Sequence, residues 1–263
     1  LNIEQVTPLI LTWNEEANLE RTLSALRWAR EILIVDSFST DRTLEIAASF
    51  SNVRVLQRVF DHFADQCNFG LQQIATPWTF SIDADYVCPP ELMAELVSLE
   101  TVFDAWDVRF RYCVYGTALR STLYPPRVVL HKTTQVCYVR DGHAHRVSID
   151  GRVGHLTSAI YHDDRKPLSR WLSSQIRYSV LEADKLLSAP RGSLGWKDSI
   201  RKCMILAPFL TAVYCLIWKR LILDGRAGWY YTFQRVLAET MLSLELLDRK
   251  LRVLSGDETS RKT

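Results

Sequence analysis

No glycine precedes Gly70 in this chain of 263 residues, which holds ten glycines in all. Parallel α/β sheets that bind nucleotides usually grip phosphate through a glycine-rich loop at a helix N-terminus. That device is excluded from the N-terminal strands, so a phosphate-bearing ligand held there needs another source of positive charge, such as a metal ion. The six cysteines, at 67, 88, 113, 137, 203 and 215, form no C-x-x-C pair and no zinc-site spacing. They read as isolated thiols of the kind a reducing cytoplasm maintains. A basic start followed by an apolar stretch is also missing, so secretion is not expected. The apolar run "CMILAPFLTAVYCLIW", residues 203–218, carries no charge over sixteen residues. As a helix it reaches roughly 24 Å at ~1.5 Å per residue, short of the ~30 Å hydrocarbon core of a bilayer. A spanning helix is not expected from it.

What is present is apolar enough, at 48%, to bury a sizeable core. The net charge of +2 hides an asymmetry: residues 1–100 hold 6 Lys/Arg against 15 Asp/Glu, a net of −9, which leaves +11 on residues 101–263. An acidic first half suits a bound cation, and a basic second half suits an anionic surface.

Buried-strand and helix patterns alternate from the start. "VTPLILTW" (6–13), "EILIVD" (31–36), "VRVLQR" (53–58) and "WTFSID" (78–83) read as strands. Helices are expected over 15–30, 41–50, 64–75 and 91–100, the first from Leu19, Leu23 and Leu26 on one face. Alternation with short connections predicts a mostly parallel central sheet with helices on both faces, an α/β Rossmann-like fold. Ligands of such sheets sit beyond the carboxyl ends of the strands, where Asn14, Asp36 and Asp83 fall. Residues 101–166 alternate less regularly, and 167–189 return to helix. "APRGSLG" (189–195) reads as a linker, which divides the chain into a domain of 1–190, C-terminal helices of 191–255 and a tail of 256–263.

In "SIDADY", Asp83 and Asp85 are one residue apart after an apolar strand. On extended backbone, positions i and i+2 point to one side, so both carboxylates can address one divalent cation; a turn or helix cap is the competing reading.

Three ordered segments, "LILTWNEEANLERTLSAL", "EILIVDSFSTDRTLEIA" and "WTFSIDADYVCPPEL", resemble the N-terminal half of family 2 glycosyltransferases of GT-A fold. The resemblance is greatest to bacterial lipopolysaccharide core glucosyltransferases, good over about residues 6–100 and looser over 101–180. It implies a nucleotide-sugar donor, with the D-x-D carboxylates on a Mg²⁺ or Mn²⁺ that bridges the diphosphate. Asp85 then resembles the direct metal ligand and Asp83 the residue on the ribose or the metal's water shell. Asp36 resembles the acid that receives the base N–H, which favours uracil. Thr12, Asn14 and Glu15 resemble the elements lining the nucleotide pocket. His162, in "YHDDRK", resembles the late histidine that completes the metal shell in some GT-A enzymes, while Asp163, Asp164 and Arg165 are expected to cap and anchor the next helix.

The chain also departs from the family. Its third helix carries "DQCN", with Cys67 where a cationic side chain is common, leaving Gln66 and Asn68 as donor contacts. "HAHRVSIDG" puts His145 where a glutamate is usual. Inverting transfer needs a general base on the acceptor hydroxyl. The candidates are Asp141, His143 and His145; Asp141 is favoured because the fold's base is usually a carboxylate. Arg127 is read as a ligand for a diphosphate or anionic acceptor, or as one half of an ordinary salt bridge.

Between 191 and 235 there are eight Lys/Arg against two Asp, interleaved with apolar segments that have Trp and Tyr near their ends. That pattern suits helices lying in a membrane interface, with packing on the first domain or on a second copy in a homo-oligomer as the alternative. Nucleic acid is not expected as a partner, because its binding surface would expose those apolar runs. The resulting expectation is an inverting, metal-dependent transferase that moves a sugar from a UDP-linked donor to a bacterial surface-glycan or lipid-linked acceptor. It would work at the cytoplasmic face of the inner membrane as a peripheral or monotopic protein. A polyprenyl-phosphate sugar synthase is the rival enzyme, and a catalytically inactive nucleotide-binding membrane scaffold is the rival of another class.

Overall fold

The computed structural model describes residues 1–141, 144–190 and 195–255, without the side chains of Asp141, Ala144, His145 and Lys197. These residues form two compact units, Leu1–Lys166 and one that begins at Pro167. The division lies ahead of the helix at 168–188.

The first unit opens with β1 (Val6–Thr12), α1 (Leu19–Ala25), β2 (Ile32–Asp36), α2 (Thr43–Ala48), β3 (Val53–Gln57), α3 (Phe63–Gln72) and β4 (Trp78–Asp83). It continues through β5 (Tyr86–Val87), α4 (Pro90–Ser98), β6 (Ala105–Val114), β7 (Thr117–Ala118), β8 (Arg127–Lys132), β9 (Val136–Asp141), β10 (Ala144–Ile149) and β11 (Val153–His162). The main sheet runs β3-β2-β1-β4-β8-β6-β11-β5, with β7 on the side of β6. The first four strands are mutually parallel, β8 runs antiparallel to both of its neighbours, and β6 and β11 are again parallel. Strands β9 and β10 form a separate hairpin.

Strands β1 and β2 are buried along almost their whole length and mostly apolar, because both faces of the sheet are covered. Ile10, Ile34, Phe80 and Ile82 face one core with Leu19 and Leu23 of α1, Ala47 of α2 and Leu92 of α4. Their neighbours Leu9, Leu33 and Val35 face a second core with Ala64, Cys67 and Leu71 of α3. Each fully buried Leu or Ile contributes ~1.5–3 kcal/mol to holding these layers together. A Cβ at Gly70 would stand 2.5 Å from Leu9 Cδ1, so this first glycine lets α3 approach β1 closely. The register sets Thr12 beside Asp36 and Leu11 beside Asp83, which brings the carboxyl ends of three strands to one edge.

Helix α1 is shorter than its periodicity suggests. Asn14 adopts a left-handed φ of 55°, a conformation Asn tolerates better than most residues, and residues 15–18 spend their polar groups on loop contacts before the helix begins.

The second unit comprises α5 (Leu168–Ser188), α6 (Trp196–Lys202), α7 (Leu206–Val213), which continues as a wider π-helical turn over Tyr214–Trp218, and α8 (Gly225–Ser255). Ala183 and Leu186 of α5 pack against Leu242 and Leu246 of α8. Arg201 bonds Glu239 at 2.6 Å across α6 and α8. Among the described residues no single helix is long and apolar enough to cross a membrane. Residues 206–218 and 221–255 reach that length and apolarity only together, and they are bent by 71°.

Candidate active site

At the edge where β1 and β2 end, the loops are sewn to each other. Asp36 is completely buried. Its Oδ2 accepts from Thr12 Oγ1 at 2.8 Å and from the Ser39 hydroxyl, and its Oδ1 accepts from Ser39 N at 2.9 Å and Gln57 Nε2 at 3.3 Å. A carboxylate offers about four acceptor positions, and here protein donors fill them. Asp36 thus shapes the loop after β2, and Thr12 is engaged in the same way. Asn14 N donates to Ser39 Oγ at 2.8 Å, and Asn14 Oδ1 accepts from Thr40 N at 2.7 Å.

On α3 the two expected donor contacts are bonded within the protein. Gln66, 1% exposed, accepts from Arg58 at 2.6 Å and donates to Ser37 Oγ and Arg58 O. Asn68 grips the backbone of Tyr138 in β9 from both sides, Nδ2 to O and N to Oδ1, each at 2.8 Å. Cys67 is buried in the second core, and burial pushes its thiol pKa up.

The D-x-D pair does not lie on continuous extended backbone. Asp83 ends β4, and Ala84-Asp85 form a turn before β5, so the same-side argument fails locally. Asp83 is half-exposed, 3.9 Å from the guanidinium of Arg127, which stacks over Tyr124. Asp85 is turned inward, its Oδ2 3.1 Å from His162 Nε2. His162 sits among the rings of Tyr86, Tyr112 and Tyr124, at 5.2, 4.8 and 4.8 Å between centroids. Burial alone would favour the neutral forms. The pair's mutual attraction, with Lys166 nearby, instead holds Asp85 down to about 2 and raises His162.

Among the described residues no three His, Cys, Asp or Glu side chains are arranged as a metal cage. Asp85 Oδ1 and His162 Nδ1 are buried without a hydrogen-bond partner. A buried carboxylate oxygen in that condition fits a hard cation, and Mg²⁺-type ions are usually held by one or two carboxylates plus substrate phosphates.

A second network was not legible from spacing. Lys166 Nζ reaches Glu15 Oε1 at 2.6 Å and lies 3.8 Å from Asp164. Asn18, 1% exposed, bonds Glu15 Oε2, Asp164, Arg21 and Arg165 N. Asp163 accepts from Arg21 at 2.7 Å, Arg165 Nε at 2.9 Å and Gly116 N at 3.0 Å. The segment after β11 is therefore anchored to α1 and the loop after β1 instead of capping α5, whose N-cap Pro167 makes no side-chain cap bond. Burial raises Glu15 to about 7 despite Lys166, and Glu15, Asp85 and Asp164 together raise Lys166. "YHDDRK" marked the cluster in the sequence, but nothing there pairs it with Glu15 across 151 positions. Of the three base candidates, His143 and the side chains of Asp141 and His145 lie outside the described residues.

Residues 9–112 match the family model for glycosyl transferase family 2. This stretch is similar to a family 2 glycosyltransferase domain. It covers β1 to most of β6, including both D-x-D aspartates. The sheet around it, parallel at its start and with an antiparallel β8, has the GT-A arrangement that the resemblance implied. Over 191 residues the chain is 28% identical to LpsC, a lipopolysaccharide core biosynthesis glycosyltransferase of Rhizobium meliloti, covering 68% of this chain and 71% of that protein. An uncharacterized glycosyltransferase of Rickettsia bellii is 32% identical over 117 residues, 44% of this chain and 38% of its own length. The match thus spans about two fifths of that relative. Among solved structures, S. aureus TarS 1–349 in complex with UDP-GlcNAc superposes with a TM-score of 0.49 at 15% identity, over 95% of this chain and 92% of that one.

Proposed function

We propose that the chain is an inverting glycosyltransferase that takes a sugar from a UDP-linked donor and passes it to a bacterial surface-glycan or lipid-linked acceptor. The observation that carries this is Asp85: a buried carboxylate beside His162, with one oxygen unpartnered, at the strand edge of a domain similar to family 2. Asp83 and Asp85 would hold a Mg²⁺ or Mn²⁺, with His162 able to complete its shell. When bound, the ion supplies Lewis-acid stabilisation of the departing diphosphate. Arg127, next to Asp83, adds a fixed positive charge at the same edge. Thr12, Asn14 and Asp36 keep the loops after β1 and β2 in one conformation, and Lys166 holds Glu15 and the post-β11 segment against them. Asp141 is the base that takes the acceptor hydroxyl proton. Similarity to LpsC supports a lipopolysaccharide-type acceptor, and the basic, apolar second unit supports work at the cytoplasmic face of the inner membrane as a monotopic protein.

The test is nucleoside diphosphate release over a panel of UDP-sugars with membrane glycolipid as acceptor, followed by mass spectrometry of the product. The native chain is expected to turn over only with Mg²⁺ or Mn²⁺. Asp85→Ala is expected to be less stable but still folded and to lose about 10²–10³-fold in kcat, the usual cost of removing a transition-state charge stabiliser. Full activity in EDTA would sink the metal role. No release with any donor and acceptor would leave only a binding scaffold.

A further inference from the structure

Among the described residues, α7 and the turn after it in the second unit carry a run of exposed large apolar side chains. Along α7 and its π-helical continuation, Leu206, Phe209, Val213 and Ile217 recur at helical spacing and all are exposed, Phe209 by 70% and Ile217 by 68%. Ala207 and Cys215 on the opposite side are buried, so the solvent-facing stripe is the apolar one, the reverse of a soluble helix. Trp218 follows at 77% exposure, and the next turn presents Ile222 and Leu223. Patches of this extent on a soluble surface mark an interaction site.

The turn that carries the tip packs closely on α8. Arg220 takes a left-handed φ of 56°, and a Cβ at Gly228 would fall 1.8 Å from the Leu221 carbonyl oxygen. The backbone of α8 therefore presses directly on the turn. Charge identifies the partner. Residues 202–226 contain Lys202, Lys219, Arg220 and Arg226 against one acid, Asp224, and the basic residues flank the apolar stripe at both of its ends. Lys219 Nζ lies 5.6 Å from the centroid of the Tyr214 ring, which puts a positive charge beside the apolar stripe. A second protein of ordinary composition would not require a basic collar around an apolar tip. A leaflet of anionic lipid does.

We infer that this face inserts into one leaflet of an anionic bilayer, with Phe209, Val213, Ile217, Trp218, Ile222 and Leu223 among the upper acyl chains. Lys202, Lys219, Arg220 and Arg226 sit at the headgroups. The thirteen residues of Leu206–Trp218 span roughly 20 Å as a helix, which is enough to lie in the interface and too little to cross ~30 Å. This deepens the reading of the chain as a monotopic membrane protein by naming the inserting surface and the lipid class.

The experiment is co-sedimentation of the full chain with vesicles of phosphatidylcholine alone and with 30% phosphatidylglycerol. Binding is expected to require the anionic lipid. Lys219→Ser/Arg220→Ser/Arg226→Ser should weaken it about 100-fold, from ~1 kcal/mol per basic residue. Ile217→Ser/Trp218→Ser, two exposed positions whose loss leaves the core intact, should weaken it about 10-fold or more. Absence of binding by the native chain, or binding indifferent to both variants, overturns the inference. So does a stable dimer in solution that dissociates in Ile217→Ser/Trp218→Ser, since a second copy would then cover the face. Diphosphate release with a soluble acceptor separates this from the catalytic reading. The surface variants should retain release, and Asp85→Ala should lose it while still binding vesicles.

Discussion

Asp85 and His162 meet at 3.1 Å although 77 residues separate them. The turn after β4 and the end of β11 come together because β5 pairs antiparallel with β11, Tyr86 beside His162. Both side chains are about 13% exposed, so each charge depends on the other. Removing one partner of such a pair leaves an uncompensated buried charge, at a cost of about 3–5 kcal/mol. In metal-free protein Asp85→Asn and His162→Gln are each expected to destabilise by roughly that amount. The double variant should lose less than the sum by about 2 kcal/mol or more. Urea unfolding of the four proteins checks this, and strict additivity would mean that the two groups do not hold each other charged.

Glu15 gives a dependence on pH with a definite sign. Its carboxyl ionises near 4.5 in the unfolded chain and at about 7 in the folded one, because burial outweighs the attraction of Lys166. A raised folded pKa contributes stability that is fully present below about pH 4.5 and is lost as the pH rises through 7. The shift corresponds to an upper bound on the order of 3 kcal/mol. Glu15→Gln does not titrate, so the native chain should lose stability relative to it between pH 4.5 and 7.5. Parallel profiles for the two proteins would contradict the buried environment assigned to Glu15.

Asn68 separates a donor contact from a structural clamp. It satisfies both backbone groups of Tyr138, and leaving such groups unpaired costs ~1–3 kcal/mol each. Asn68→Ala is expected to lower stability by roughly 2–4 kcal/mol on that basis, with little change in donor KM. A raised KM at unchanged melting temperature would support the sugar-nucleotide role that the position in "DQCN" suggests.

Arg127 should behave in the opposite way. It is a third exposed, lies 3.9 Å from Asp83 and stacks over Tyr124, so Arg127→Gln is expected to change the melting temperature little. If its charge serves a phosphate, donor KM should rise about 10-fold, the value of ~1.4 kcal/mol for one charge-assisted contact. An unchanged KM would reduce Arg127 to a surface salt bridge.

How far the sequence carried these assignments depended on the range of the interaction. Strands β1 to β4 were readable to within a residue or two, because burial on both faces leaves runs such as "LILT" and "ILIVD" with no polar interruption. Helix α1 was overextended because Glu15, Glu16 and Asn18 look like a polar first turn, whereas they spend their side chains on Lys166, Arg42 N and Asp164. Asp85 and His162, which the resemblance names together, do meet. The saturation of Asp36 by Thr12, Ser39 and Gln57 was not legible, since it depends on three side chains converging from separate elements. Lys166 escaped for the same reason.

Asp141 remains the residue on which the acceptor class turns. A sugar hydroxyl is a poor nucleophile until its proton is taken, whereas a lipid phosphate is already ionised and needs no base. General-base catalysis contributes ~10²–10⁴-fold, so Asp141→Asn should cost about that factor in kcat with a glycan acceptor and almost nothing with a polyprenyl phosphate. The loss should also carry a pH signature: native kcat should fall as the base is protonated at acid pH, and the variant should show no such limb. His145→Asn, on the paired strand of the same hairpin, serves as the control. If it flattens the profile and Asp141→Asn does not, the base is the histidine at the position where the family's glutamate is usual. If neither variant changes kcat while diphosphate release continues, the acceptor is an anion and the enzyme is the polyprenyl-phosphate type.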